Sequence, residues 1–108
     1  MRRGDIVAVA APGDYGKPRP AVIVQTDGLS SDHGSLVLCQ MISSLLDLEF
    51  RVTVEPSPEN GLRTTSQVMT DKLVTVRRER VGQSIGRLAA VDIARLNVAL
   101  AFVVGLAD

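Results

Sequence analysis

The chain changes its hydrophobic period once. Up to Val76 the apolar residues come in short, often β-branched runs cut by turn residues, and from Val91 onward they recur at helical spacing. Runs of the first kind read as strands. Asp5–Ala10 is a first strand, stopped by Pro12-Gly13-Asp14, and Ala21–Gln25 is a second whose continuous hydrophobicity suits burial on both faces. A polar loop between Thr26 and Gly34 precedes a third strand at Leu36–Ile42. Phe50–Val54 alternates as a half-exposed strand does. Pro56, Pro58, Asn60 and Gly61 break the chain before a further strand at Ser66–Thr70, with Leu73–Val76 as its continuation or its partner. In the final stretch Ile93, Leu96, Leu100 and Val103 share one helical face and no Gly or Pro intervenes before Gly105, so Val91–Val104 is read as one amphipathic helix with Arg95 and Asn97 on its outer side. Phe50 and Phe102 are expected in the core. Many short strands and one terminal helix predict a mainly β fold, a small barrel with a C-terminal α-helix, rather than a layered α/β fold.

A length of 108 residues suits a single domain spanning 1–108. Lys plus Arg and Asp plus Glu each total 12, so no global positive field attracts nucleic acid and a polyanion must be met by a local cluster. No apolar run approaches the roughly 20 residues that span a bilayer. No signal-peptide core follows Met1-Arg2-Arg3, and a cytoplasmic protein without a membrane partner is expected. The one cysteine, Cys39, lies inside Leu36–Ile42 with no histidine near it in sequence, which marks a packing residue rather than a nucleophile.

The strongest local feature is Lys17-Pro18-Arg19-Pro20, running directly into Ala21–Val24. Each proline fixes its own φ and biases the preceding residue toward extended backbone, so the Arg19 guanidinium stands on a stiff stem. Forked and always charged, it suits a phosphate or a carboxylate. A surface arginine capping a strand is the plainer reading.

Taken together, Arg3-Gly4-Asp5-Ile6-Val7, Arg19–Gln25, Gly61-Leu62-Arg63-Thr64-Thr65-Ser66, Asp71–Val76, Gly86-Arg87-Leu88 and the closing helix to Val104-Gly105-Leu106 resemble the MazF/PemK (Kid) family of toxin–antitoxin toxins. The resemblance implies a compact SH3-like barrel of the CcdB/MazF type, a homodimer with an RNA groove across both subunits, and a cognate antitoxin as partner. It also implies cleavage of single-stranded messenger RNA without a metal or other cofactor, the ribose 2′-OH acting as nucleophile. Position by position, the arginine of the Arg-Pro pair is Arg19, and the hydroxyl residue at the end of the third strand is Ser43, with Ser44 the alternative one position on. In some relatives an arginine and an aspartate two positions apart on a later strand also act; the aspartate matches Asp71, but the arginine position falls on Met69, which neither binds phosphate nor donates a proton.

Such chemistry passes through a crowded, doubly charged phosphorane, so cationic donors on its nonbridging oxygens are what the site requires first. Arg19 can supply two donors, and Ser43 adds a hydroxyl. Asp71 is either a general base or an exposed turn residue, and His33 is either a proton carrier or a solvated loop histidine. For the RNA strand, Tyr15 is the candidate stacking platform beside Lys17, while Arg77, Arg78 and Arg80 supply local positive charge, diluted by Glu79. Two other readings stand beside this one. A CcdB-like gyrase poison shares the barrel, although its tryptophan-bearing tail has no counterpart in Gly105–Asp108; a noncatalytic SH3-like binding module would tolerate Met69.

Overall fold

The computed structural model describes residues 1–10 and 16–108. Its elements are β1 (Asp5–Val9), β2 (Arg19–Ile23), β3 (Ser35–Ile42), β4 (Val52–Val54), β5 (Ser66–Arg77), β6 (Val81–Arg87) and α1 (Ala90–Val103), with one 3-10 turn at Arg78–Arg80 between β5 and β6. The six strands form one antiparallel sheet in the order β4-β5-β3-β2-β1-β6. Mainly β with a C-terminal helix, it has the expected architecture.

Two strands differ from expectation. The segments Ser66–Thr70 and Leu73–Val76 are one continuous strand, β5, bent where its pairing with β3 jumps from Cys39–Leu73 to Met41–Val68. Across that bulge only Gln40 of β3 lies opposite residues 69–72 of β5, and this inserts Met69, Thr70, Asp71 and Lys72 into the strand without breaking it. β6 was not anticipated, because Val81-Gly82-Gln83-Ser84-Ile85-Gly86-Arg87 carries two glycines and no apolar run. It pairs with β1 through two register irregularities. Here glycine answers to close packing rather than to a turn: a Cβ at Gly86 would stand 2.4 Å from the Asn60 carbonyl carbon.

Among the described residues the hydrogen-bond ladder does not run round into a ring. The chain after β4 instead folds against β6, where the Arg87 N–H donates to the Glu59 carbonyl at 2.9 Å. Gly61, at φ +66°, lies so close to β6 that a Cβ there would come within 2.2 Å of the Ile85 carbonyl oxygen. The two edges of the curled sheet are thus joined by a loop contact, not by strand pairing.

Alternation along the strands fills both faces of the sheet. Ile6, Val22, Cys39, Met41, Val52, Val54 and Val68 pack beneath Leu96 and Ala99 of α1, while Val7, Val9, Ala21, Ile23, Leu36 and Leu38 occupy the other face with Val76. Burying a Val, Leu or Ile side chain stabilises by roughly 1.5–3 kcal/mol, so a small protein poor in aromatics can be held by these aliphatics. Ile93 and Leu100 of α1 join the first group as read from their spacing. Phe102 does not: it is 59% exposed, and its ring stacks on the half-buried Phe50 at a centroid distance of 6.0 Å. Among the described residues no helix is long and apolar enough to cross a membrane.

Candidate functional site

Arg19 opens β2 and Ser43 follows the last residue of β3. The two strands are antiparallel neighbours paired Ala21–Gln40, Val22–Cys39 and Ile23–Leu38, and continuing that register places Arg19 across from Ile42. The sheet therefore brings the backbone positions of Arg19, Ser43 and Ser44 to one corner, all three residues exposed. Lys17, also exposed, leads into the same end of β2. Tyr15 lies outside the described residues.

On its other side β3 meets β5, with Ile42 paired to Gln67, and the β5 bulge follows at once. Met69 is half-buried there. Asp71 is joined to Arg51 by two parallel bonds, Nε to Oδ1 at 2.9 Å and Nη2 to Oδ2 at 3.0 Å. Only 4% of the Arg51 side chain is exposed, against 28% for Asp71. The side-chain hydrogen bond from Arg51 is the main reason the Asp71 carboxyl is held below its usual range, and it outweighs the opposing effect of burial. Asp71 is thus an ionised carboxylate whose two oxygens are both engaged. Arg51 entered the sequence reading only as the polar member of an alternating strand. The alternation correctly placed Val52 and Val54 inward, but nothing local in the sequence says that a buried guanidinium is answered by a carboxylate 20 positions on.

The remaining sequence candidates are spread more widely. Arg77 pairs with Ser35, at the end of β3 away from Ser43. The Arg78 side chain donates from Nε to the His33 carbonyl at 2.9 Å, a structural tie between the 3-10 turn and the 26–34 loop. Arg80 is exposed and precedes Val81, which pairs with Val9; since Val9 also pairs with Arg19, Arg80 lies toward Arg19's part of the sheet. His33 is exposed, with Nε2 3.5 Å from the Ser35 hydroxyl, and stands with Arg77 at the far end of β3. Cys39 is fully buried and burial, aided by the Asp71 charge, pushes its thiol up to about 12, as suits a packing residue. Among the described residues no group of three or more His, Cys, Asp or Glu side chains is arranged to hold a metal ion.

A family model for PemK-like, MazF-like toxins of type II toxin–antitoxin systems matches residues 2–104. The chain belongs to this toxin family. It is 41% identical over 109 residues to a protein of Mycolicibacterium smegmatis named probable endoribonuclease MazF, covering 99% of each. Two solved structures share the fold: a mycobacterial endoribonuclease in complex with its cognate antitoxin (TM-score 0.84, 20% identity, 98% of this chain and 96% of that one) and the Mycobacterium tuberculosis toxin MazF-mt6 (TM-score 0.81, 22% identity, 94% and 96%). Arg19, Ser43 and Ser44 together offer a forked cation and two hydroxyls at one end of the β2–β3 pair. The Arg51–Asp71 pair beside it holds position without adding net charge.

Proposed function

We propose that this chain is the endoribonuclease of a type II toxin–antitoxin pair, cutting single-stranded messenger RNA at the corner formed by Arg19 and Ser43. Family membership and the full-length likeness to a named endoribonuclease support the activity. The observation that supports the site is the β2–β3 register, which, continued by two residues, sets Arg19 across from Ile42 and so close in the sheet to Ser43, 24 positions on.

In this reading the ribose 2′-oxygen attacks the adjacent phosphorus, the P–O5′ bond breaks, and the products are a 2′,3′-cyclic phosphate and a 5′-hydroxyl. No metal takes part. Arg19 binds the nonbridging oxygens as negative charge accumulates on them, a role that removal of a single donor typically shows to be worth about 10²–10³-fold in rate. Ser43, or Ser44 beside it, donates to the same phosphate. Asp71 is ionised, as a base must be, yet Arg51 occupies both its oxygens; proton removal by Asp71 requires that pair to open. Lys17 and Arg80 flank the scissile position and track the strand, with Arg77 and Arg78 contacting phosphates farther along; Tyr15, outside the described residues, is the residue proposed to stack on a base. The active form is a homodimer in the cytoplasm, and the partner that silences it is an antitoxin, as in the mycobacterial complex.

The test is incubation of the purified protein with long single-stranded RNA in EDTA. Cleavage at short recurrent sequences with cyclic-phosphate ends, lost in Arg19→Ala at unchanged circular dichroism, is the expected result. Intact RNA, or a folded Arg19→Ala protein that cuts at the parental rate, overturns the proposal.

A further inference from the structure

We infer that Gln67 is a positioning residue for RNA cleavage, fixing the Ser43–Ser44 hydroxyls by gripping the backbone of Leu46; the inference rests on the function proposed above. Gln67 is only 2% exposed, an unusual place for an amide unless both of its ends are satisfied. Both are. Its Nε2 donates to the Leu46 carbonyl at 2.7 Å and its Oε1 accepts from the Leu46 N–H at 3.2 Å. The side chain thus meets one residue of the departing chain as a neighbouring strand would, just past the last β3–β5 pair, Ile42–Gln67.

The place of this grip gives it a consequence for the hydroxyls. Beyond Ile42 the chain leaves the sheet and returns only at Val52, and Ser43 and Ser44 are its first two residues outside. Without an anchor, exposed serines at the start of so long a connection would sample many positions. β5 holds that connection at three points: Gln67 grips Leu46, the Thr70 hydroxyl donates to the Phe50 carbonyl, and Asp71 takes Arg51. Only the Gln67 contact lies close to the serines, leaving Ser43 and Ser44 between the end of β3 on one side and a clamped Leu46 on the other. A displacement of about 1 Å of a group that contacts the reacting phosphate can cost on the order of 10²-fold in rate.

Gln67→Met keeps length and apolar volume while removing both hydrogen bonds, and Leu46→Pro removes the accepted N–H from the exposed side of the same contact. Cleavage rate at saturating RNA and RNA affinity are measured on each folded variant, and amide exchange at Leu46 in Gln67→Met alone. The expected result is loss of Leu46 protection, a rate about 10–100-fold lower and RNA affinity within about threefold of the parent, because the strand is still bound but the hydroxyl is misplaced. The same substitutions in a Ser43→Ala,Ser44→Ala background should lower the remaining rate by less than about threefold, since the groups they position are gone. Full multiplication of the two effects, or a parental rate in a variant whose Leu46 amide has lost protection, overturns the inference. If the parent protein itself leaves RNA intact, it is the functional reading that has failed, and the exchange at Leu46 then shows whether Gln67 holds the chain there at all.

Discussion

Removing Asp71 should destabilise the protein more than removing Arg51, even though they form one pair. Arg51 is the buried partner, with 4% of its side chain exposed, whereas 28% of Asp71 reaches water. Breaking a buried pair by deleting one partner costs about 3–5 kcal/mol, because a charge stays behind without compensation. In Asp71→Asn the charge left behind is the buried guanidinium, and partial solvation of the site lowers that range to about 2 kcal/mol. In Arg51→Met the charge left behind is a carboxylate that can turn to solvent, and the methionine restores apolar packing, so the cost should be about 1 kcal/mol. The double variant removes both charges and should fall well short of the sum of the two, leaving a coupling of about 1–2 kcal/mol. With no tryptophan in the sequence, urea unfolding at pH 7 is best followed by far-UV circular dichroism, at one fixed protein concentration so that any association cancels. A thermal scan should place Asp71→Asn roughly 8–10 °C below the parent, since a domain of this size shifts by about 4–5 °C per kcal/mol. A larger loss in Arg51→Met than in Asp71→Asn, or simple additivity in the double variant, would refute the assignment of Arg51 as the desolvated partner.

Three further outcomes follow from the same geometry. Asp71 and Asp5 both hold their protons less readily in the folded state than their usual 3.8, Asp71 through Arg51 and Asp5 because the Arg2 N–H and Arg87 outweigh its burial; stability should therefore be complete above about pH 5 and fall as the pH drops through 4 and below. Acid titration of unfolding should show the gap between the parent and Arg51→Met closing over that window, and a gap that widens there contradicts the sign. Gly61→Ala must place a Cβ 2.2 Å from the Ile85 carbonyl oxygen at φ +66°, whereas Gly16→Ala at φ +76° meets nothing within 4 Å among the described residues, so the first should cost at least about 2 kcal/mol more than the roughly 1–2 kcal/mol left-handed penalty they share. Cys39, fully buried with its thiol pushed up to about 12, should react with a disulfide reagent at pH 8 only as fast as the protein opens, which urea titration of the labelling rate will show.

The elements that periodicity could reveal were legible in the sequence, and those formed by tertiary demand were not. β1, β2, β3 and α1 came from apolar runs or helical spacing, with boundaries displaced by one or two residues. β6 escaped because its backbone is held by pairing with β1 and by close packing on Asn60, conditions that select glycine and erase the usual strand signature. Phe102 misled for a complementary reason: its spacing lies off the stripe of Ile93, Leu96 and Leu100, yet an aromatic side chain in an amphipathic helix invites assignment to the core. At the candidate site, the stiffness around Arg19 could be read from two prolines, but its nearness to Ser43 is a matter of strand register. Least legible were the side-chain anchors. Gln67 and Arg51 look like ordinary polar members of strands, and only the three-dimensional path of residues 43–51 shows that each holds that segment to β5.

The charge balance around Ser43 explains why so much rests on one arginine. The resemblance implies a second cation, in some relatives, two positions before the aspartate, and this chain has Met69 there. Arg51 brings a guanidinium to Asp71 from β4's side instead, but both carboxylate oxygens receive its Nε and Nη2, so the pair is neutral as a unit and oriented toward itself. It shapes the bulge without offering a positive field to a phosphate. In the proposed reaction the added negative charge at phosphorus must then be met mainly by Arg19, with Ser43 contributing a directional but uncharged donor. With Lys17 and Arg80 farther out and Arg19 the cation assigned to the phosphate itself, catalysis in this reading depends on how well Arg19 and its neighbouring hydroxyl keep their relative positions. The prolines at 18 and 20 restrain the first, and the Gln67 grip on Leu46 restrains the second. In the proposed site, rigidity on both sides of the phosphate would thus offset the lack of a cation at position 69.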